Sequence, residues 1–234
     1  MLGNWSNLGQ TYNAANELLS DAVYSYSFDP NGNMTSKMAK DGSKGAQYGW
    51  DSEGHLLSVT LQASGATTQS LAYKYDGLGR RIEKDLTSVV SPASSFSRKY
   101  IYDGNSIVAE TDGTGKFIAY YIQGPNVDQP IAVLRDLDGN GLFTNDETFY
   151  YTRDALGSTR VLTDGNAQVV QRYRYSAYGQ TTVESVDSAT QHQPVENLFA
   201  YTGREWDEEA DLYGYRARYY SPEMGIPLAG PDRV

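Results

Sequence analysis

The residue types best suited to chemistry lie in one stretch, residues 136–147. Side-chain oxygens occupy its positions 1, 3, 5 and 12, which are Asp136, Asp138, Asn140 and Glu147. Gly141 at position 6 permits a sharp turn, and Leu142 at position 7 offers its backbone carbonyl. Calcium takes about six to eight oxygen ligands, so the pattern predicts a structural Ca2+ site formed by Asp136, Asp138, Asn140, Leu142 and Glu147. The alternative is a solvated turn rich in Asp, Asn and Gly.

The segments on both sides of this loop have the character of strands. Residues 131–134 (Ile-Ala-Val-Leu) precede it, and residues 148–151 (Thr-Phe-Tyr-Tyr) follow it. β-Branched and aromatic residues favour strands. The sequence therefore predicts a calcium loop within a β hairpin, without the flanking helices of an EF-hand.

Other side chains give little evidence of catalysis, and we predict no catalytic residue. His55 and His192 have no nucleophile or second ligand at an informative spacing. The acidic run at residues 205–211 is interpreted as a solvated face. Three arginines are expected to pair with Glu205 or Asp207 and to stack on tyrosines: Arg204, Arg216 and Arg218.

A repeated motif supplies the scaffold for these residues. Its order is aromatic, spacer, aromatic, Asp, two variable residues, Gly, and it occurs at residues 26–32, 48–54 and 73–79, with degenerate copies at 100–106 and 151–157. A loose period of this length indicates an array of similar supersecondary units. Aromatics two apart share one face of a strand, and Asp followed by Gly favours a turn.

The repeats predict a nearly all-β chain built from hairpins. Turns are expected at residues 29–32, 51–54, 76–79, 112–115 and 164–167. Only residues 13–22 and 205–212 offer a turn or two of helix.

Composition excludes several classes of function. The net charge of −10 over 234 residues argues against nucleic acid and anionic membranes as partners. No apolar run approaches the ~20 residues needed to insert in a membrane, and the first residues do not form a signal peptide. The absence of cysteine excludes disulfides. Tyrosine outnumbers phenylalanine 20 to 6, which favours a sheet with one solvated face, where the ring packs and the hydroxyl reaches solvent or a partner.

The repeats resemble the YD repeats of Rhs proteins, toxin-complex shell proteins and teneurins. Two later stretches are similar to the Rhs-associated core: residues 150–161, and residues 199–220 with the block Arg216-Ala217-Arg218-Tyr219-Tyr220. The resemblance implies a β-hairpin array that is a fragment of a spiralling β shell. It implies a YD-repeat region at residues 1–125 and a core-like region at 126–234 that carries the inserted loop.

The same resemblance implies a structural role, as a shell segment that helps to enclose a C-terminal polypeptide, often a toxin. The expected partners are this cargo or the remaining shell strands, in a larger protein that is secreted or at the cell surface. Residues 221–227 depart from the family's Asp-Pro-x-x-Gly-Arg-Phe pattern, so self-cleavage involving Asp232 is not expected. Residues 2–5 resemble the tail of a preceding repeat. The rival hypothesis is a surface β module that binds glycans or another protein.

Overall fold

A computed structural model of the chain describes residues 9–185, 195–216 and 218–229. The repeat tail expected at residues 2–5, His192 and Asp232 lie outside these ranges.

The described residues form twenty strands. These are β1 Thr11–Tyr12, β2 Leu18–Ser20, β3 Tyr24–Phe28, β4 Met34–Ala39, β5 Lys44–Trp50, β6 Leu56–Ala63, β7 Ala66–Tyr75, β8 Arg81–Ser88, β9 Phe96–Asp103, β10 Ser106–Asp112, β11 Phe117–Gln123, β12 Pro130–Arg135, β13 Thr148–Arg153, β14 Thr159–Thr163, β15 Val169–Tyr175, β16 Thr181–Ser185, β17 Glu205–Asp207, β18 Leu212–Tyr215, β19 Arg218–Ser221 and β20 Ile226–Pro227.

The strands form two antiparallel sheets, each in simple chain order. β1 to β16 make one sixteen-stranded sheet, and β17 to β20 make a four-stranded sheet. The helical segments in the described ranges are short 3-10 turns at Pro92–Ser94, Asn145–Glu147 and Tyr201–Gly203. The all-β expectation is confirmed. The suggestion of helix at residues 13–22 and 205–212 is wrong, because β2, β17 and the start of β18 lie there.

Within the described part of the chain, no helix has the length and hydropathy needed to cross a bilayer.

A single aspartate organises each repeated turn. At Asp76, Oδ1 accepts the N–H groups of Leu78 and Arg80, at 2.9 and 3.0 Å. The Gly79 N–H donates to the Asp76 carbonyl, and Gly79 has φ +74°. The carboxylate thus satisfies N–H groups that the turn leaves without backbone partners, and glycine supplies the positive φ.

All five predicted turns are confirmed, and a sixth of the same form lies at residues 154–157. The copy at Asp103 differs, because Gly104 and Asn105 alone connect β9 to β10.

A one-residue bulge follows each of the six turns. Tyr75 pairs with Arg81 but Lys74 pairs with Glu83, so Ile82 is an extra residue in β8. The equivalent extra residues are Thr35, Leu57, Ile118, Arg160 and Val170. Because the bulge shifts the alternation of the strand, residues three apart are both buried, as in Met34/Lys37, Leu56/Val59 and Arg81/Lys84.

One face of the sixteen-stranded sheet, here called the inner face, is covered by the chain's own residues 195–216 and 218–228. Leu212, Tyr219 and Leu228 pack with buried side chains of β3 to β8. Val195, Leu198 and Phe199 pack with those of β9 to β15. The core therefore lies between the long sheet and the segment that follows it in sequence.

The proposed division at residue 125 stays a prediction. β11 and β12 pair across that position in the same sheet.

Ala167 provides a test of the turn geometry, since it occupies the position of glycine with φ +61°. We expect Ala167→Gly to raise the free energy of unfolding by up to about 1 kcal/mol, because a left-handed backbone costs alanine more than glycine. The matched control is Gly54→Ala, because Gly54 has φ +87° and open space where the added methyl group would lie. This substitution should lower the free energy of unfolding by about 1 kcal/mol. Urea unfolding measures both, and a destabilised Ala167→Gly contradicts the prediction.

Candidate functional site

The twelve-residue loop connects two paired strands, as the sequence predicts. Residues 136–147 join β12 to β13, which pair from Ala132–Tyr150 to Leu134–Thr148. Gly139 and Gly141 have φ of +73° and +81°, so both adopt the left-handed backbone that the tight path requires.

The two carboxylate oxygens of Asp136 differ, because one has hydrogen-bond partners and the other has none among the described residues. Oδ2 accepts the Gly141 N–H at 3.0 Å and lies 3.0 Å from Lys116 Nζ. Oδ1 is buried and has no hydrogen-bond partner among the described residues, while the side chain is 1% exposed. Burial raises the pKa of Asp136, but the bonds from Lys116 and Gly141 outweigh it, so the pKa lies below its usual value. A buried, ionised oxygen without a donor is what a cation would satisfy.

The next two candidate ligands organise the loop backbone. Asp138 accepts the Asn140 N–H at 3.0 Å and its side-chain amide at 2.7 Å. Asn140 Oδ1 accepts the Leu142 N–H at 2.6 Å.

Glu147 closes the loop from its other end. Its Oε1 accepts the Leu137 N–H at 2.9 Å, and Oε2 accepts the Thr144 N–H and hydroxyl, each at 3.1 Å. The side chain is buried at the end of the Asn145–Glu147 turn.

Carboxylate oxygens of Asp136, Asp138 and Glu147 all lie within 4.8 Å of one another. The donors are all oxygen, the ligand type calcium prefers. Asp136 also has a buried oxygen, Oδ1, without a hydrogen-bond partner among the described residues. These residues therefore fit a calcium ion. Ligation by Asn140 and by the Leu142 carbonyl stays a prediction.

A second polar cluster joins the two sheets at the inner face. The Asp207 side chain is 0% exposed, and its oxygens lie 3.2 Å from Arg81 Nη1 and 3.0 Å from Lys84 Nζ. The Tyr73 hydroxyl donates to Asp207 at 2.8 Å. Burial raises the pKa of Asp207, but Lys84 and Arg81 outweigh it and lower the pKa to about 2.

Two further acids complete this cluster. Arg81 Nη2 donates to Glu205 at 3.0 Å, and Lys84 also contacts Glu209. The interpretation of residues 205–211 as a solvated face is therefore wrong for Glu205, Asp207 and Glu209, because the cations that pair with them lie on the long sheet.

The sequence predicted that the three arginines pair with Glu205 or Asp207. For two of them the structure gives a different partner. Arg204 and Arg216 reach Asp128, at 2.9 and 3.9 Å. The expected stacking is observed for Arg204, whose guanidinium lies 5.1 Å from the centre of the Tyr215 ring.

An alignment of the repeats on their glycines would have indicated that Arg81 is buried. Met34 and Leu56 stand two residues after Gly32 and Gly54, and both are fully buried. Arg81 stands in the same place after Gly79. A charged residue at a position that other copies fill with apolar side chains predicts a buried partner of opposite charge.

The segment before β17 is held on the inner face by side chains of the long sheet. The Gln171 side chain accepts the Val195 N–H at 2.9 Å and donates to the Val195 carbonyl at 3.1 Å. Glu196 contacts Arg135 at 2.7 Å. The Tyr151 hydroxyl donates to Asn197 at 2.7 Å. Side chains of the sheet thus bind the backbone and the polar groups of this segment.

His55 has a structural position. Its Nδ1 lies 2.8 Å from Asp51 Oδ2, and its ring stacks on Tyr75 with 4.7 Å between centroids. Asp51 is itself the aspartate of a repeated turn.

A meandering sheet of repeated Asp turns, wrapped around its own following segment, defines a repetitive β wall. A family model described as "Teneurin YD-shell" matches residues 4–228. The chain belongs to this YD-shell family, which confirms the resemblance seen in the sequence.

Relatives and solved structures agree with this assignment. The tRNA nuclease WapA of Bacillus subtilis (strain 168) is 30% identical over 233 residues, which are 98% of this chain and 9% of that protein. Toxin subunit YenC1 of Yersinia entomophaga is 28% identical over 191 residues, 77% of this chain and 19% of that protein. The crystal structure of TcdB2-TccC3-Cdc42 has a TM-score of 0.57 at 18% identity, covering 94% of this chain and 14% of that one. The chain thus spans less than a fifth of each.

We expect Asp207→Asn to lower the free energy of unfolding by about 3 kcal/mol, because Arg81 and Lys84 then lack their buried counter-charge. The exposed Asp103→Asn is the control and should change it little. The folded pKa of Asp207, about 2, lies below its ordinary 3.8. Its stabilisation is therefore present above pH ~4 and is lost as the pH falls toward ~2.

Chemical denaturation of the wild type and Asp207→Asn from pH 7 to pH 2 measures this difference. Comparing the two curves cancels the titration of acids that contact neither Arg81 nor Lys84. A difference in stability that stays constant down to pH 2 contradicts the assigned pairing.

Proposed function

We propose that the chain is a wall segment of a hollow β shell that encloses a C-terminal polypeptide of the protein to which it belongs. Membership of the YD-shell family supports a structural role, and similarity to toxin proteins supports a toxin as cargo. The proposed setting is a secreted or cell-surface protein. Partners are the enclosed polypeptide and neighbouring strands of the same shell.

The observation that carries this proposal is the segment at residues 195–199 on the inner face. It is held by contacts to its backbone through Gln171 and by apolar packing of Val195, Leu198 and Phe199. Recognition of main-chain groups depends little on side-chain identity, as in strand addition to a sheet. A wall of this kind can hold extended polypeptide in general.

The tyrosines do not favour the rival glycan-binding function. Many of them are buried in the core formed by the long sheet and the segment after β16, including Tyr24, Tyr26, Tyr48, Tyr73, Tyr100, Tyr121, Tyr173, Tyr213 and Tyr219. Ring faces committed to the core are not available for stacking on sugars.

Enclosure can be tested by protease protection. An unstructured, epitope-tagged peptide is appended to the C-terminus of the natural gene product that carries this chain, and in the control to its N-terminus. We expect cleavage of the C-terminal peptide to be slower, because the wall excludes the protease. The protection should disappear at the urea concentration that unfolds the sheet. Equal cleavage rates at the two termini contradict enclosure.

The proposed shell segment also carries a structural calcium ion in the loop at residues 136–147. Asp136, Asp138 and Glu147 would supply carboxylate oxygens, with Asn140 and the Leu142 carbonyl as further ligands. The support is the buried Asp136 Oδ1, whose side chain is already aligned by Gly141. The ion would clamp the β12–β13 hairpin.

Calcium should raise the melting temperature relative to chelator. A ligand that binds only the folded form contributes about 3 kcal/mol at a hundredfold excess over Kd. Glu147→Gln should abolish the shift, because it removes the charge at position 12 and keeps one oxygen for the Leu137 or Thr144 N–H. The control is Asp146→Asn, which makes the same charge change at an exposed neighbour and should keep the shift. Identical wild-type melting in calcium and chelator would disprove the site.

A further inference from the structure

Lys116 connects the loop to the neighbouring hairpin. It follows the turn at residues 112–115, and its N–H donates to Asp112 Oδ1 at 3.0 Å. Its ammonium lies 3.0 Å from Asp136 Oδ2 and donates to the Gly139 carbonyl. A positive charge from outside the loop therefore contacts position 1, and also the backbone at position 4.

The contact leaves the two oxygens of Asp136 with different roles. Lys116 and Gly141 hold Oδ2, whereas the buried Oδ1 has no hydrogen-bond partner among the described residues. The carboxylates of Asp138 and Glu147 lie close to that of Asp136. Lys116 thus neutralises the charge of Asp136 through Oδ2 and leaves Oδ1 of the same carboxylate without a partner among the described residues.

We propose that Lys116 is a built-in counter-ion that lowers the calcium affinity of the loop, so that the loop fills only in calcium-rich surroundings. The inference rests on the calcium site proposed above. Ligand charge count and site rigidity set the Kd of such loops, and weak extracellular sites lie at ~10⁻⁴ to 10⁻³ M. Lys116 reduces the net charge available to the ion and keeps the loop folded when calcium is scarce.

Electrostatic repulsion gives the expected size of the effect. An ion ~2.4 Å from Oδ1 lies on the order of 5 Å from the ammonium that holds Oδ2. At that distance, a divalent and a monovalent cation repel enough to weaken binding about tenfold, even with the dielectric constant of water. Added salt screens the repulsion, because part of the pair is exposed.

The test is isothermal titration of the full chain with calcium chloride at low ionic strength. Lys116→Met removes the charge and keeps the aliphatic stem, and Lys116→Gln serves as a second variant. Lys99→Met is the matched control, because Lys99 also donates to a turn carbonyl, that of Gly113 at 3.1 Å, without contacting the loop acids. Melting temperatures in chelator confirm that each variant is folded.

We expect a wild-type Kd of ~10⁻⁴ to 10⁻³ M. Both Lys116 variants should bind about tenfold more tightly, with a gain that shrinks in high salt, and Lys99→Met should match the wild type. The Lys116 variants should melt lower than the wild type in chelator and recover with calcium.

Two results separate this inference from the proposed site. A wild type that binds calcium with the same affinity as both Lys116 variants, or more tightly than they do, overturns the role of Lys116 and leaves the site standing. Micromolar or tighter wild-type binding also overturns it. No binding by the wild type or either variant at 10 mM calcium, on the order of ten times the upper expected Kd, rejects the calcium site itself, and the inference with it.

Discussion

The aspartate at the tip of each repeated hairpin is the constraint on which the sheet depends. Its carboxylate accepts two backbone N–H groups, as Asp76 does from Leu78 and Arg80, and so fixes where one strand ends and the next begins. The bulge that follows, such as that at Ile82, then decides which side chains face inward. A slip of one residue would exchange the two faces of a strand. The turn therefore determines the composition of the inner face as well as the direction of the chain.

The inner face combines apolar packing with buried ion pairs. Asp207 meets Arg81 and Lys84 from the long sheet, and Arg135 lies between Glu110 and Glu196, at 3.1 and 2.7 Å. Such pairs add little net stability compared with apolar residues, but a lost partner leaves an uncompensated buried charge. Asp207 and Glu196 belong to the segment after β16, so their ion pairs join that segment to the long sheet.

The sequence predicted the hairpins and the turns, because these depend on residues a few positions apart. It did not predict the buried ion cluster, since Asp207 and Lys84 are far apart in the chain and the acids alone have the pattern of a surface. Strict alternation also fails on the returning strands: Arg81 and Lys84 would lie on opposite faces without the extra residue Ile82. The candidate ligands of the loop were chosen from their spacing and stay a prediction, whereas Lys116 belongs to another hairpin and has no place in the twelve-residue pattern.

The loop at residues 136–147 stands where the rest of the meander uses a shorter connection. Lengthening a surface loop costs little closure entropy, so the insertion is compatible with the sheet. The unfavourable feature of the loop is electrostatic repulsion. The loop brings together the carboxylates of Asp136, Asp138 and Glu147, whereas a repeated turn contains one aspartate. Lys116 places one positive charge against Asp136, whose side chain is 1% exposed. The loop can therefore fold with the sheet before any metal arrives, and a metal ion would then strengthen a hairpin that is already formed.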